Sequence, residues 1–282
     1  MGDNKLCAIV LPSFRGAHSR PIPPFLSLGT KMKMKSTIVA SSLLAAALPA
    51  LSFADNAFTG VQAGLNLGYE DSSMDWETDS IITPATPGNS LAVGANDSES
   101  LDDSAFAYGV FTSYNMALND RWIVGAELAY QGSNTSDSVK SIPGDPLAGN
   151  QTEAEVEINQ TFLLGIKGGY LLNASTLAYS TLSATLTEVE VNSDCPSDGT
   201  VCNPGSPARS DSDDDNITGW ALALGLEKSL SENLSVRAEY RYADLGTANV
   251  TAVKKENGEA FGIDADIDVT SQALLLAAVY KF

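Results

Sequence analysis

A pattern of period two, repeated along most of the chain, limits what it can fold into more than any other feature. In Thr59–Tyr69 the residues Val61, Ala63, Leu65, Leu67 and Tyr69 fall on one face, and Gly60, Gln62, Gly64, Asn66 and Gly68 on the other. Successive side chains of a strand point to opposite faces, so this is a strand with one apolar face and one small-or-polar face. The glycines also match the GxxxG spacing of paired membrane helices. Gln62 and Asn66 interrupt the apolar run that such a helix needs.

The alternation returns with Phe106, Tyr108 and Val110 outward beside Ala107, Gly109 and Ser113, and with Trp122, Val124, Ala126, Leu128 and Tyr130 beside Gly125 and Glu127. Phe162, Leu164, Ile166 and Tyr170 alternate with Thr161, Gly165 and Lys167; Trp220, Leu222, Leu224 and Leu226 with Gly219, Gly225 and Glu227. Leu234, Val236, Ala238, Tyr240 and Tyr242 alternate with Arg237, Glu239 and Arg241, and Leu274, Leu276, Ala278, Tyr280 and Phe282 close the series. A strand near Thr176–Thr187 rests on β-branched content and position, because its alternation is blurred.

Eight strands result, separated by short gaps (Ala117–Asp120, Leu172–Ser175, Ser229–Asn233) that alternate with long ones at about 70–103, 131–154, 190–215 and 245–266. The expected fold is all-β: an eight-stranded antiparallel up-and-down transmembrane β-barrel, with short periplasmic turns, long extracellular loops and both termini on the periplasmic side. A soluble barrel of lipocalin type would carry the opposite polarity. The longest apolar run in 55–282 is the eight residues Ala273–Tyr280, too short for a helix across a bilayer, which takes ~20. All nine tyrosines lie in the strands, and Trp122, Trp220, Tyr114, Tyr170 and Tyr280 sit near strand ends, as in aromatic girdles.

Lys31–Lys35, with three lysines, precedes the apolar run Ser36–Phe53 and the small-x-small junction Ser52-Phe53-Ala54. This predicts a secretory signal peptide over 32–54, cut after Ala54, with 55–282 as the mature barrel. Residues 1–31 read as an upstream segment from a mis-assigned start, since Met32 and Met34 both suit a signal; Cys7 and His18 fall in this segment and support no functional argument.

The final strand, ALLLAAVYKF, resembles the C-terminal signature by which outer-membrane proteins are recognised for assembly, with Tyr280 and Phe282 as the signal. Together with GWALALGLEKSLSENLSVRAEYRYADLGT over Gly219–Thr247, it resembles the opacity and surface-antigen family of eight-stranded OmpA-like barrels, often labelled porins. The match is specific over Gly219–Asp244 and the last ten residues, and general in pattern over 58–187. The resemblance implies an outer-membrane location and a surface-exposed role.

Residues 55–282 keep 34 of the 35 acids but 10 of the 16 bases, a formal charge of −24. Phosphate binding needs clustered Lys and Arg, so nucleic acid is not an expected partner. The four long gaps hold 23 acids against 4 bases, which predicts an anionic outer surface. No histidine follows Ala54, which removes the usual base for a serine-type nucleophile. A paired-carboxylate hydrolase stays formally open, but the reading is non-enzymatic and without cofactor. Asp211-Ser-Asp213-Asp-Asp215 imitates a calcium loop, yet Asn216 and Leu222 replace its glycine and its bidentate glutamate. Asp264, Asp266 and Asp268 share a face and read as a solvated run rather than a metal site.

Glu127, Lys167, Glu227, Arg237, Glu239 and Arg241 all fall on inward faces. Eight strands enclose only enough space for side chains, and buried charges must pair, so three matched pairs plugging the lumen are expected. The alternative is an ion-selective constriction in a narrow pore. Cys195 and Cys202 bracket PSDGTV and read as a disulfide in an exported protein, contributing about 2–2.5 kcal/mol. Expected partners are outer-membrane lipid and lipopolysaccharide, the barrel-assembly machinery, and a host or surface ligand at the loops.

Overall fold

Alternation of apolar and polar side chains yields strands, and each here is longer than its apolar segment. The computed structural model describes residues 56–82, 90–91, 98–143, 152–195, 208–253 and 262–282. In chain order the elements are β1 (Gly60–Ile82), β2 (Ser90–Leu91), β3 (Ser98–Ala117), β4 (Trp122–Lys140), β5 (Glu153–Asn173), β6 (Thr176–Cys195), β7 (Arg209–Ser229), β8 (Leu234–Val253) and β9 (Gly262–Lys281). All long strands pair antiparallel with their neighbours in sequence, the two-residue β2 joining β1 at its tip. β1 also pairs with β9, from Gln62↔Lys281 to Ile82↔Gly262, which closes the ring. The blurred segment is an ordinary strand: Leu177, Tyr179, Thr181, Ser183, Thr185 and Thr187 are its buried, inward set.

The four long gaps are largely strand. The bilayer-like part of the pattern ends near Tyr69, Phe106, Tyr130, Phe162, Trp220 and Tyr242, but the ladders continue past it. What changes there is polarity. On β1 the inward set passes from Gln62, Asn66 and Glu70 to Met74 and Trp76, both fully buried, while the outward set passes from Val61–Tyr69 to Asp71, Asp75 and Glu77. The upper level therefore has the apolar-in, polar-out arrangement of a soluble β-structure standing on a lipid-type barrel.

The two levels also differ in connectivity. The β3–β4 ladder stops at Ala107↔Ser133 and the β7–β8 ladder at Trp220↔Asp244, whereas the six other ladders run on to the strand tips. The ring thus opens along two seams into two four-stranded sheets, β4-β5-β6-β7 and β8-β9-β1-β3. Their inner faces pack as a sandwich: Val139, Val156, Ile158, Val189, Val191 and Ile217 from one sheet meet Met74, Trp76, Leu101, Val250, Ile263 and Ile267 from the other in one cluster. Carboxylates bridge the seams where backbone bonds are missing. Ser136 N donates to Asp103 Oδ2 at 3.0 Å, Asn249 N to Asp215 Oδ2 at 3.1 Å and Thr251 N to Asp213 Oδ2 at 2.9 Å. Trp76 Nε1 donates to Thr78 Oγ1, which donates to Pro143 O across the sandwich.

Single extra residues set the phase between levels. Asn159 is unpaired between Ile158 and Gln160, so Glu153, Glu155 and Glu157 turn outward and Ala154, Val156 and Ile158 inward. Leu245 does the same on β8, next to Gly246 at φ +100°, a conformation that glycine adopts without strain.

Candidate functional site

Below the sandwich the lumen is polar. Glu127, Lys167, Glu227, Arg237, Glu239 and Arg241 are all buried inside the ring, each at 9% exposure or less. Their grouping differs from three separate pairs. Lys167 Nζ lies 3.8 Å from Glu127 Oε2 and 3.6 Å from Glu227 Oε2, and Arg237 reaches the same two oxygens at 2.9 and 3.3 Å. Two cations thus share two carboxylates, with Ser235 Oγ donating to the second oxygen of Glu227 at 2.6 Å. Arg241 and Glu239 form the remaining pair at 2.7 Å, two residues apart on β8.

Three inward residues outside that set complete the layer. Tyr179 OH donates to Glu239 at 2.7 Å, and its ring lies under Lys167 Nζ at 4.4 Å and near the Arg237 guanidinium at 4.9 Å. Gln131 accepts from Arg241 at 2.8 Å and donates to Glu70 at 3.0 Å, linking a fourth carboxylate to the chain. Sequence reasoning missed Tyr179 because its strand was blurred, and missed Gln131 and Glu70 because both stood at the edge of an assumed loop. The usable signal was parity: Glu70 continues the face of Gln62 and Asn66. Gly225 is opposite the Tyr179 ring, where an added Cβ would come within 2.3 Å.

The layer is bounded by apolar packing on both sides. Toward the hairpin end stands the sandwich core. Toward the turn end, Phe58, Ile123, Leu177 and Tyr179 form a second buried cluster backed by Ala57 and Leu171. Among the described residues no group of three or more His, Cys, Asp or Glu side chains is placed to hold a metal ion. Cys202 and residues 1–55 lie outside the described residues, so the disulfide and the signal segment do too; Cys195 ends β6.

The outer face carries an apolar belt, with Leu65, Leu164, Ile166, Leu274 and Leu276 at least 64% exposed. Edge-to-face ring pairs border it: Trp122–Tyr170 and Tyr280–Phe282, each 5.1 Å apart, at the turn end, and Tyr130–Phe162, 5.3 Å apart, at the other. Trp122 to Tyr130 is eight steps along one strand, roughly 27 Å, or about 20 Å of height at a tilt of ~40°. That is close to the ~25 Å apolar band of outer-membrane barrels. The family model described as "Outer membrane protein beta-barrel domain" matches residues 40–282.

The chain belongs to this family. It is 26% identical over 203 residues to the 31 kDa outer-membrane immunogenic protein of Brucella melitensis, covering 70% of this chain and 75% of that one, and the Brucella suis protein of the same name matches equally. Among solved structures, the outer membrane protein OprG of Pseudomonas aeruginosa aligns at 17% identity with a TM-score of 0.47, covering 79% of this chain and 97% of that one. The attachment invasion locus protein Ail of Yersinia pestis aligns at 15% identity with a TM-score of 0.38, covering 79% and 100%. As a member of the family, the chain is an outer-membrane protein.

The sandwich is acidic on its outer faces. Glu157, Glu190 and Asp214 are direct cross-strand neighbours on β5, β6 and β7. Desolvation first, then Glu155 and Glu190, push the Glu157 carboxyl above its ordinary range. A raised carboxyl pKa favours the folded state fully below the unfolded value and loses that advantage as pH rises through the folded one. Glu157→Gln should therefore raise the unfolding midpoint at neutral pH and leave it unchanged below about pH 4. Equal midpoints at both pH values would remove this repulsion from the account.

Proposed function

We propose that this barrel is a closed, non-enzymatic scaffold whose role is structural and interactive, exerted by the acidic sandwich above the outer membrane. The observation that carries the reading is the filling of the lumen at three successive levels: the Phe58 cluster, the ionic layer and the apolar sandwich core. An eight-stranded ring leaves no aqueous channel once such side chains are in place. No histidine follows Ala54, so a serine-type nucleophile would lack its usual imidazole base.

The partners that fit are lipid and lipopolysaccharide around the belt, the barrel-assembly machinery at Tyr280 and Phe282, and a host or surface ligand on the extracellular hairpins. Nucleic acid does not fit a chain of this charge.

The alternative is a narrow pore through the Lys167–Arg237 layer. Purified protein in planar bilayers should show little steady current, and Arg241→Ala, which breaks the pair with Glu239, should raise it. Large, stable wild-type channels would establish the pore and overturn the closed-scaffold reading.

A further inference from the structure

The four residues before β1 do work that no strand does. Phe58 is fully buried in the periplasmic mouth, against Ile123 and Leu177 at the first inward positions of β4 and β6 and Tyr179 at the next one of β6. Asn56 folds the segment into a tight turn: its side-chain oxygen accepts from Phe58 N at 2.9 Å, and its carbonyl accepts from Thr59 N at 3.3 Å and Thr59 Oγ1 at 3.1 Å. Two strands hold the turn in place. Asn115 Nδ2 of β3 donates to Phe58 O at 3.2 Å, and Lys281 Nζ of β9 donates to Asn56 O at 2.9 Å.

We infer that Asn56–Thr59 is a stopper that seals the luminal charge layer from the periplasm, latched by Lys281 of the closing strand. Lys281 pairs with Gln62 only once β9 has met β1, so the latch exists only in the closed ring. The segment belongs to no ladder and is held by a few local bonds and one ring, the kind of element that opens well below the global unfolding free energy. Above it, Tyr179 of the same cluster donates to Glu239 and lies under Lys167, so withdrawing Phe58 exposes the underside of the ionic layer.

The inference rests on the closed-barrel reading and is separable from it. A luminal reporter is Thr181→Cys, at a position 4% exposed on the wall of a small cavity beside Glu239 and Arg241, in a background of Cys195→Ser and Cys202→Ser. Its modification by a small cationic methanethiosulfonate is timed on refolded protein in micelles, with Glu232→Cys in a periplasmic turn as the exposed control. The wild-type stopper should keep labelling slow. Phe58→Ala should speed it on the order of tenfold or more, and Lys281→Met, which keeps the ring but removes the latch, should speed it by a smaller factor. Heat-modifiable migration identifies folded protein, and if Phe58→Ala does not fold, Lys281→Met alone decides. Labelling that stays slow in every folded variant overturns the stopper and leaves the closed barrel standing. Labelling of Thr181→Cys as fast as Glu232→Cys with Phe58 and Lys281 intact overturns the closed barrel itself.

Discussion

Replacing Arg237 with alanine is expected to destabilise the folded barrel by about 3–5 kcal/mol, the range for removing one partner from a buried ionic group. Arg237 bonds both Glu127 and Glu227, and its guanidinium lies 4.2 Å over the Phe111 ring. Without it, the two buried carboxylates retain Lys167 as their ion-pair partner, at 3.6 and 3.8 Å, and Glu227 keeps its bond from Ser235. The cost comes from stranded charge more than from lost attraction, because the unfolded chain hydrates all four groups. A combined Glu127→Leu, Glu227→Leu, Lys167→Met, Arg237→Met variant should consequently lose much less, because it leaves no charge of the group unpaired. Urea unfolding of refolded protein in micelles or vesicles compares the two. A single-site cost below about 1 kcal/mol would mean that water already solvates the layer and that it is no plug.

Deleting Phe282 is expected to lower the amount of heat-modifiable, assembled protein in cells by about tenfold while changing the stability of protein refolded in vitro by no more than about 1 kcal/mol. In the finished barrel Phe282 is 73% exposed, touches Tyr280 and donates one backbone bond to Val61 O at 3.0 Å. The β1–β9 ladder from Gln62↔Lys281 upward remains without it. A large loss in cells beside a small loss in vitro assigns Phe282 to recognition during assembly. Matching losses in both settings would assign it to the folded wall, and an unchanged folded band in cells would remove it from either role.

Much of this architecture is written in single strands. Which face of Val61–Tyr69 or Leu234–Tyr242 meets lipid follows from parity alone, since a one-residue slip would place every apolar side chain in the lumen. The inward charges of Glu127, Lys167 and Arg237 follow from the same parity. Their partners do not: Arg237 and Glu127 are 110 residues apart, and only closure of the ring makes two cations share two carboxylates. The upper level was hidden for a related reason. Val156 and Ile158 beside Glu155 and Glu157 alternate as clearly as any strand, but reversed polarity and acidic content resemble a solvated loop until a facing sheet supplies Val250, Ile263 and Ile267 to bury them. Phe58 has no pattern at all, being one ring ahead of the first strand, and its burial depends on a mouth built by β4, β5 and β6. Local alternation determined the membrane-level part of each strand, its two faces and the apolar belt, because side-chain direction has a fixed period of two. The ion-pair grouping, the two seams and the stopper were decided by ring closure, because each joins residues that are neighbours only after distant strands meet.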